Sequence, residues 1–313
     1  MTSTLINSSK KRKRFKQYQD QFTKLMFFLS AMISSLMILV IIIFIAQKGI
    51  APFLPDYQFG TQDIFKFLFG MVWRQDQAIY GVGFIVINTL ISGFSALILA
   101  FPIAVLTALF SVKIAPKKLG VLLETTIEIL ASIPSIVYGV FAVGSIVPMI
   151  RSLAQSLGIQ TAGGSSMLAV VLLLAIMILP TITSISITAI KSVDEDLEKA
   201  SLALGASPTQ TNFKIVLSAA KSGIFAGAVL GLGRAFGEAT AVTLVAGNKM
   251  FGPTLELFDI TRTMTSTMLA GMKETIGLDY DIRFSVGLVL IVVILVSNLS
   301  INLVKQRIGK HHA

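Results

Sequence analysis

Between Gly223 and Gly247 the chain runs for 25 residues with only two charges, Arg234 and Glu238, both inside the stretch GLGRAFGEAT. A guanidinium offers planar donors and a permanent positive charge suited to an oxyanion, and a carboxylate four residues on offers an acceptor. With about 100° of rotation per helical residue, Gly223, Gly227, Gly231, Arg234 and Glu238 fall on one face. The three glycines form two overlapping G-x-x-x-G steps, the spacing that lets membrane helices approach closely, so the charged pair is expected on the packing side of its helix. Arg234 lies 11 residues into the run, roughly 16 Å along a helix and so near the middle of a hydrocarbon core about 30 Å thick. A charge at that depth costs about 2.5–3.5 kcal/mol, which makes the pair a candidate functional site. Two readings fit the spacing. Arg234 and Glu238 can neutralise each other, or a neighbouring helix, and give packing specificity alone. Alternatively Arg234 provides positive potential for an anion crossing the membrane, while Glu238 accepts a hydrogen bond from a protonated anion or holds Arg234 when none is there.

Hydroxyls elsewhere suit a lined pathway: Ser132, Ser135 and Tyr138 in SIPSIVY, and Thr181 within PTITSISIT. Each can equally bond back to its own helix. No catalytic constellation accompanies them. There is no phosphate loop, and GLGRAFG is a G-x-G-x-x-x-G pattern inside an apolar run, without the strand that precedes a dinucleotide fingerprint. Cysteine is absent, which removes disulfides, thiolate metal sites and thiol nucleophiles, and His311 and His312 at the C-terminal end carry no assigned role. Neither a metal nor a cofactor bound by this chain is expected, and energy for transport must come from another subunit or an ion gradient.

The elements that position these residues are membrane helices. Only 13% of the 313 residues are charged and 54% are hydrophobic, against roughly 25% charged in a soluble domain. Six apolar runs are long enough to cross: 25–46, 80–112, 119–150, 167–190, 223–247 and 284–304. The second and third exceed one crossing and contain Pro102, Pro134 and Pro148, so tilted or kinked helices are expected. No run alternates with period two, which argues against a barrel. The first run is too long for a cleaved signal peptide and reads as an anchor. Its basic forerunner, KKRKR at 10–14, suits topology and anionic lipid, and no aromatic interleaving suggests nucleic acid. With the N-terminus in the cytoplasm, 17 Lys and Arg fall on that side and 8 on the other, so both termini are expected there. The resulting organisation is a cytoplasmic segment 1–24, an anchor helix 25–46, an extracytoplasmic loop 47–79, a core 80–304 and a cytoplasmic tail 305–313. Within the loop, FKFLFGMVW at 65–73 is expected either at the outer interface, with Trp73 as anchor, or packed on the crossings.

A cytoplasmic segment, 191–222, joins crossings four and five. Its acidic stretch from Asp194 suits a helix N-terminus and Gly205 marks a turn, giving a short helix that suits docking to a partner or a plain solvated connector. KASLALG, ending at Gly205, with Ile215 and Leu217 downstream, resembles the coupling motif of ABC importer permeases, which docks into a cleft of the ATPase subunit. Here Lys199, followed by Ala200, takes the motif's acidic position, Glu198 stands one residue out of register, and Ser218 replaces a proline. More specifically, YGVGFIVINTLI at 80–91, EILASIPSIVYGV at 128–140 and GLGRAFGEATAVTLVAGN at 231–248 resemble phosphate-specific importer permeases of the PstC type, over residues 78–304. The resemblance implies an all-α integral membrane protein of type I ABC importer architecture in a bacterial cytoplasmic membrane. It implies a sister permease as heterodimer partner, two ATPase subunits that hold ATP and Mg, an external phosphate-binding protein, and phosphate passage beside Arg234 and Glu238. Phosphate keeps a proton near neutral pH and sulfate does not, so a Glu238 that accepts that proton's hydrogen bond is expected to disfavour sulfate. The alternatives are a permease for sulfate, molybdate or phosphonate, a secondary transporter or anion channel outside the ABC class, and a membrane scaffold or sensor subunit.

Overall fold

In lipid a segment must satisfy its backbone internally, so apolar runs of this length fold as helices. In the computed structural model the backbone is described for residues 2–310 and side chains for 19–303. The basic run at 10–14, His311 and His312 lie outside the described side chains. Helix α1 (Thr2–Ile50) is followed by α2 (Ile64–Phe69) and a two-stranded hairpin, β1 (Trp73–Arg74) with β2 (Ile79–Tyr80). Next come α3 (Gly83–Leu109), α4 (Lys117–Ser132), α5 (Ser135–Phe141), α6 (Val147–Ser156) and α7 (Met167–Lys191). The chain continues through α8 (Glu195–Ala203), α9 (Pro208–Gln210), α10 (Leu217–Gly237), α11 (Thr240–Val245), α12 (Met264–Leu269) and α13 (Leu278–Lys310). Wider π turns, Phe110–Ile114, Ala142–Ile146 and Thr211–Val216, extend α3, join α5 to α6 and lead into α10. Six helical segments are long and apolar enough to cross a membrane: Gln19–Phe53, Gly83–Ile114, Ser135–Ser156, Met167–Lys191, Pro208–Gly237 and Leu278–Leu303.

Two crossings differ from their sequence-based outlines. The run 119–150 is not one kinked helix: at Ile133 the backbone is extended (φ −65°, ψ 127°) and α5 starts afresh. Pro134 forces this, because a proline ring disfavours helical backbone in the residue before it. The run 223–247 stops at Gly237, with Glu238 extended (φ −74°, ψ 112°) before α11 begins. Arg234 and Glu238 therefore do not share one continuous helix, and the one-face geometry holds only as far as Arg234.

The centre of the bundle is α7, which packs on α3 and α10. Helix α3 meets it with Ala96, Ala100, Ala104 and Ala108, spaced four apart and at most 1% exposed, small residues that bring the helix axes close. The glycine row of α10 does the same on α7. A Cβ at Gly223 would stand 2.4 Å from Ala189 Cβ, and one at Gly231 would stand 2.7 Å from Ile182 Cγ1; Gly227 faces Ile182 and Ile185. Helix α1 packs along α13. There Gly49 lies so close that a Cβ would be 2.8 Å from Phe284 O, and Ser285 Oγ donates to Gly49 O at 2.7 Å. Lys48 pairs with Asp281 at 3.2 Å and Tyr57 Oη donates to the same carboxylate at 2.8 Å. Within 65–73 only Phe67 and Trp73 are buried, while Phe65 and Phe69 stay exposed; Trp73 is 2% exposed, stacks edge-on against Tyr80 and donates its backbone N–H to Met250 O at 2.7 Å. Trp73 is thus a core residue and not an interfacial anchor.

Candidate functional site

The break after α10 organises the site. Gly233 and Gly237 weaken the last turn, and an added Cβ at either would meet nothing within 4 Å, so this side of α10 looks onto open space. Irregular backbone at membrane depth is tolerated only where it is buried in protein or lines a cavity. Glu238 holds the break at both ends of the residue. Its Oε1 accepts the Ala241 N–H at 2.9 Å, capping α11, and its backbone carbonyl accepts from Thr265 Oγ1 at 2.7 Å. The Glu238 carboxylate is therefore used by α11 and not by Arg234.

Arg234 Nη1 donates to Thr181 Oγ1 at 2.8 Å, and the arginine makes no ion pair among the described residues. Thr181 follows Pro180 on α7. Tyr138 of α5 is 7% exposed. Its hydroxyl donates to Leu130 O at 2.7 Å, tying α5 back to α4 across the break at Pro134. The other hydroxyls stand apart. Ser132 Oγ bonds back to Ile129 O at 2.7 Å on an exposed face, and half-buried Ser135 opens α5. The structure thus brings Thr181 to Arg234, keeps Glu238 nearby but separately engaged, spends the Tyr138 hydroxyl on Leu130, and leaves Ser132 outside. This arrangement presents a cation held by one neutral hydroxyl beside a helix break, which is suited to attracting an anion.

At the opposite end of α10, Asp194 Oδ1 accepts the Asp196 N–H at 2.9 Å and starts α8. Gly205 ends it with φ +88°, a left-handed backbone that favours glycine. Ser207 and Gln210 cap α9 reciprocally, and Ser201 and Thr211 hydroxyls meet at 2.9 Å. Glu198 does not point outward: it is half-buried and paired with Lys113, at the end of α3. Lys199 pairs within α8, to Glu195 at 3.3 Å and Asp196 at 3.4 Å, and Ala200 is exposed beside it. Leu197, Leu202 and Leu204 are exposed, Leu204 at 89%, on a surface shared with the charged side chains of Glu195, Asp196 and Lys199. Ile215 and Leu217 are half-buried where the segment enters α10.

Sequence reading assigned nothing to Asn88 and Thr89, which sit in α3 and are at most 2% exposed. Asn88 Oδ1 accepts the Thr254 N–H at 2.9 Å and Thr89 Oγ1 accepts the Met264 N–H at 3.0 Å, fastening the 246–263 loop and the start of α12 to α3. Two adjacent polar side chains in an apolar run were the available signal.

Six crossings, a broken fifth helix carrying a lone arginine and a short capped helix with exposed leucines at its other end define a multi-pass transport permease subunit. The chain belongs to the family described as "Binding-protein-dependent transport system inner membrane component", which matches residues 84–311. It is 38% identical to the "Probable ABC transporter permease protein YqgH" of Bacillus subtilis over 257 residues, covering 80% of each chain. It is 32% identical to the "Phosphate transport system permease protein PstC" of Pasteurella multocida over 284 residues, covering 83% of this chain and 88% of that one. Among solved structures, a bacterial ABC transporter involved in the import of the acidic polysaccharide alginate aligns with a TM-score of 0.62 at 18% identity, covering 90% of this chain and 96% of that one. That last likeness establishes the fold alone.

Proposed function

We propose that this chain is a permease subunit of an ATP-driven importer of inorganic phosphate, of the PstC type. The observation that carries the reading is Arg234, a cation bonded to a neutral hydroxyl at a helix break that opens onto unfilled space. A sister permease closes that open side and completes the pathway. Arg234 attracts the anion into the low-dielectric interior, where its charge acts strongly. Thr181 keeps the guanidinium oriented between passages, and Glu238, with one oxygen committed to α11, offers the other to a protonated phosphate. The likeness to the Pasteurella multocida permease supports phosphate as the substrate.

Coupling runs through 191–222. ATP binding closes two cytoplasmic ATPase subunits, and α8 receives that movement through its exposed leucines. The Lys113–Glu198 pair passes it to the end of α3, and the Thr211–Val216 turn passes it to α10. The segment and both termini face the cytoplasm in this arrangement, and an external phosphate-binding protein delivers to the other side.

The test is uptake of labelled phosphate, with excess sulfate, in cells whose sole phosphate importer contains this chain, comparing wild type with Arg234→Ala at matched membrane expression. ATP-dependent, sulfate-resistant uptake that the substitution removes is the expected result. Undiminished uptake by Arg234→Ala would return the arginine to a packing role, and uptake of sulfate or molybdate in place of phosphate would reassign the substrate.

A further inference from the structure

Arg262 is a second cation without a counter-charge. It lies outside the six crossing segments, in the 246–263 loop at the end of the bundle opposite α8. The guanidinium is half-buried and makes one hydrogen bond, from Nη2 to Asn248 O at 2.9 Å. Its Nε–H is buried with no partner, and no carboxylate comes within 4 Å of it among the described residues. The nearest other charges do not compensate. Lys249 is paired with Asp259, and the residue that acts on Arg262 electrostatically is Arg283, a like charge. Burial first, and then Arg283, pull the Arg262 guanidinium down to about 10, which leaves it positively charged at neutral pH.

Asn248 adds the complementary half. It occupies left-handed backbone (φ +52°) directly after Gly247 (φ +75°), a conformation Asn tolerates better than most residues. Its Oδ1 is buried without a donor. A buried donor on a cation and a buried acceptor, both unmatched and carried by two residues already in contact, are costly unless something fills them. Water suits the acceptor but leaves the charge. A hydrogen phosphate ion suits both, because its charged oxygens accept from Arg262 while its P–OH donates to Asn248 Oδ1. Sulfate satisfies only the first.

The placement gives such a site a use. Helix α11 has six residues, Thr240–Val245, and so spans roughly 9 Å. Arg234 and Glu238 stand at its N-terminal end, and Asn248 with Arg262 stands just past its C-terminal end. We infer that Arg262 and Asn248 form a receiving site for a partly protonated oxyanion, one short helix away from Arg234, where the ion waits before entering the membrane pathway. The choice of phosphate as the ion rests on the function proposed above; the unmatched donor and acceptor belong to the loop itself.

The intact importer, with its partner subunits in lipid nanodiscs, is treated with phenylglyoxal, and modification of each arginine is followed by peptide mass spectrometry. Inorganic phosphate is expected to slow modification of Arg262 at least three-fold, sulfate at equal concentration less so, with Arg283 unaffected by either. Equal Arg262 rates with and without phosphate would overturn the inference. So would protection given only by the phosphate-free external binding protein, since that result points to a protein carboxylate. Uptake supplies the second arm. Arg262→Gln keeps a donor for Asn248 O but no charge, and a lost charged hydrogen bond corresponds to a roughly ten-fold or greater fall in uptake. Arg262→Lys is expected to stay within about three-fold of wild type. Wild-type uptake by Arg262→Gln would make the arginine a loop strut and refute the site. Because the phenylglyoxal readout does not depend on turnover, failure of phosphate as the transported ion leaves that arm decisive.

Discussion

Arg234 and Arg283 are both arginines inside crossing segments, and their surroundings are opposite. Arg283 is 2% exposed and spends its donors on backbone carbonyls: Thr267, Met268 and Ala270 at the end of α12, and Asp279 one turn back. Those are the groups a short helix leaves unpaired at its C-terminus, so Arg283 acts as a cap built from a distant helix. Arg234 has one bonded partner, a hydroxyl, and open space beside its helix. Burial with donors spent on several backbone carbonyls marks an arginine that holds structure. Partial burial with spare donors marks one that can still receive something.

The largest expected effect breaks the structural member. Arg283→Ala leaves several buried carbonyls unmatched, at a cost of about 3 kcal/mol or more. The folded, membrane-inserted yield and thermal unfolding temperature should both collapse. Lysine should not restore them, because a single ammonium cannot reach four carbonyls in that fan. Arg234→Ala should do the reverse, with unfolding within a few degrees of wild type and phosphate uptake lower by roughly a hundred-fold, the loss of a charged contact worth about 3 kcal/mol. If both substitutions unfold the protein, the contrast fails.

Smaller effects sharpen it at the two ends of the bundle. Glu198→Gln removes the pair with Lys113, which is only half-buried and therefore worth about 1 kcal/mol or less. ATP hydrolysis should persist while phosphate moved per ATP falls, and exchanging the charges in a Lys113→Glu/Glu198→Lys double variant should recover most of the loss. The smallest effect belongs to the corner where α1 meets α13. Tyr57→Phe deletes the hydrogen bond to Asp281, costing about 0.5–1 kcal/mol in thermal unfolding. Burial, followed by Asp281, raises the Tyr57 hydroxyl above its ordinary 10.0. A group raised in this way stabilises fully below the unfolded value and loses that contribution only as pH climbs past the folded one. The cost of Tyr57→Phe should therefore be the same at pH 6 and pH 8.

The order of the crossings and the glycine row on α10 were legible because apolar length and four-residue spacing are properties of single segments. The coupling segment was legible in part: Asp194 and Gly205 announced the ends of α8, but whether Glu198 faced outward depended on Lys113, 85 residues away. The break at Glu238 was hidden. Residues 223–247 hold no proline, and an apolar run keeps its helical appearance through a residue whose carboxylate caps the next helix. Gly237 just before Glu238 was the local hint, and it gains meaning only when Thr265 binds the Glu238 carbonyl. Pro134 was visible and underestimated, since it separates two helices where a kink was expected. Asn88 and Thr89 stood out as polar and could not be assigned, because their partners are backbone amides of a loop more than 160 residues downstream.

Under the function proposed above, Thr181 sets the depth of the energetic well at Arg234. A carboxylate in its place would hold the guanidinium firmly, and an arriving ion would have to displace a full charge. With nothing there, the side chain would wander and each arrival would have to order it again. A hydroxyl aims the guanidinium yet is displaced with little resistance, and an ion bound in a shallow well departs as readily as it arrives. Rapid release is what a conduit needs, whereas a receptor needs long residence.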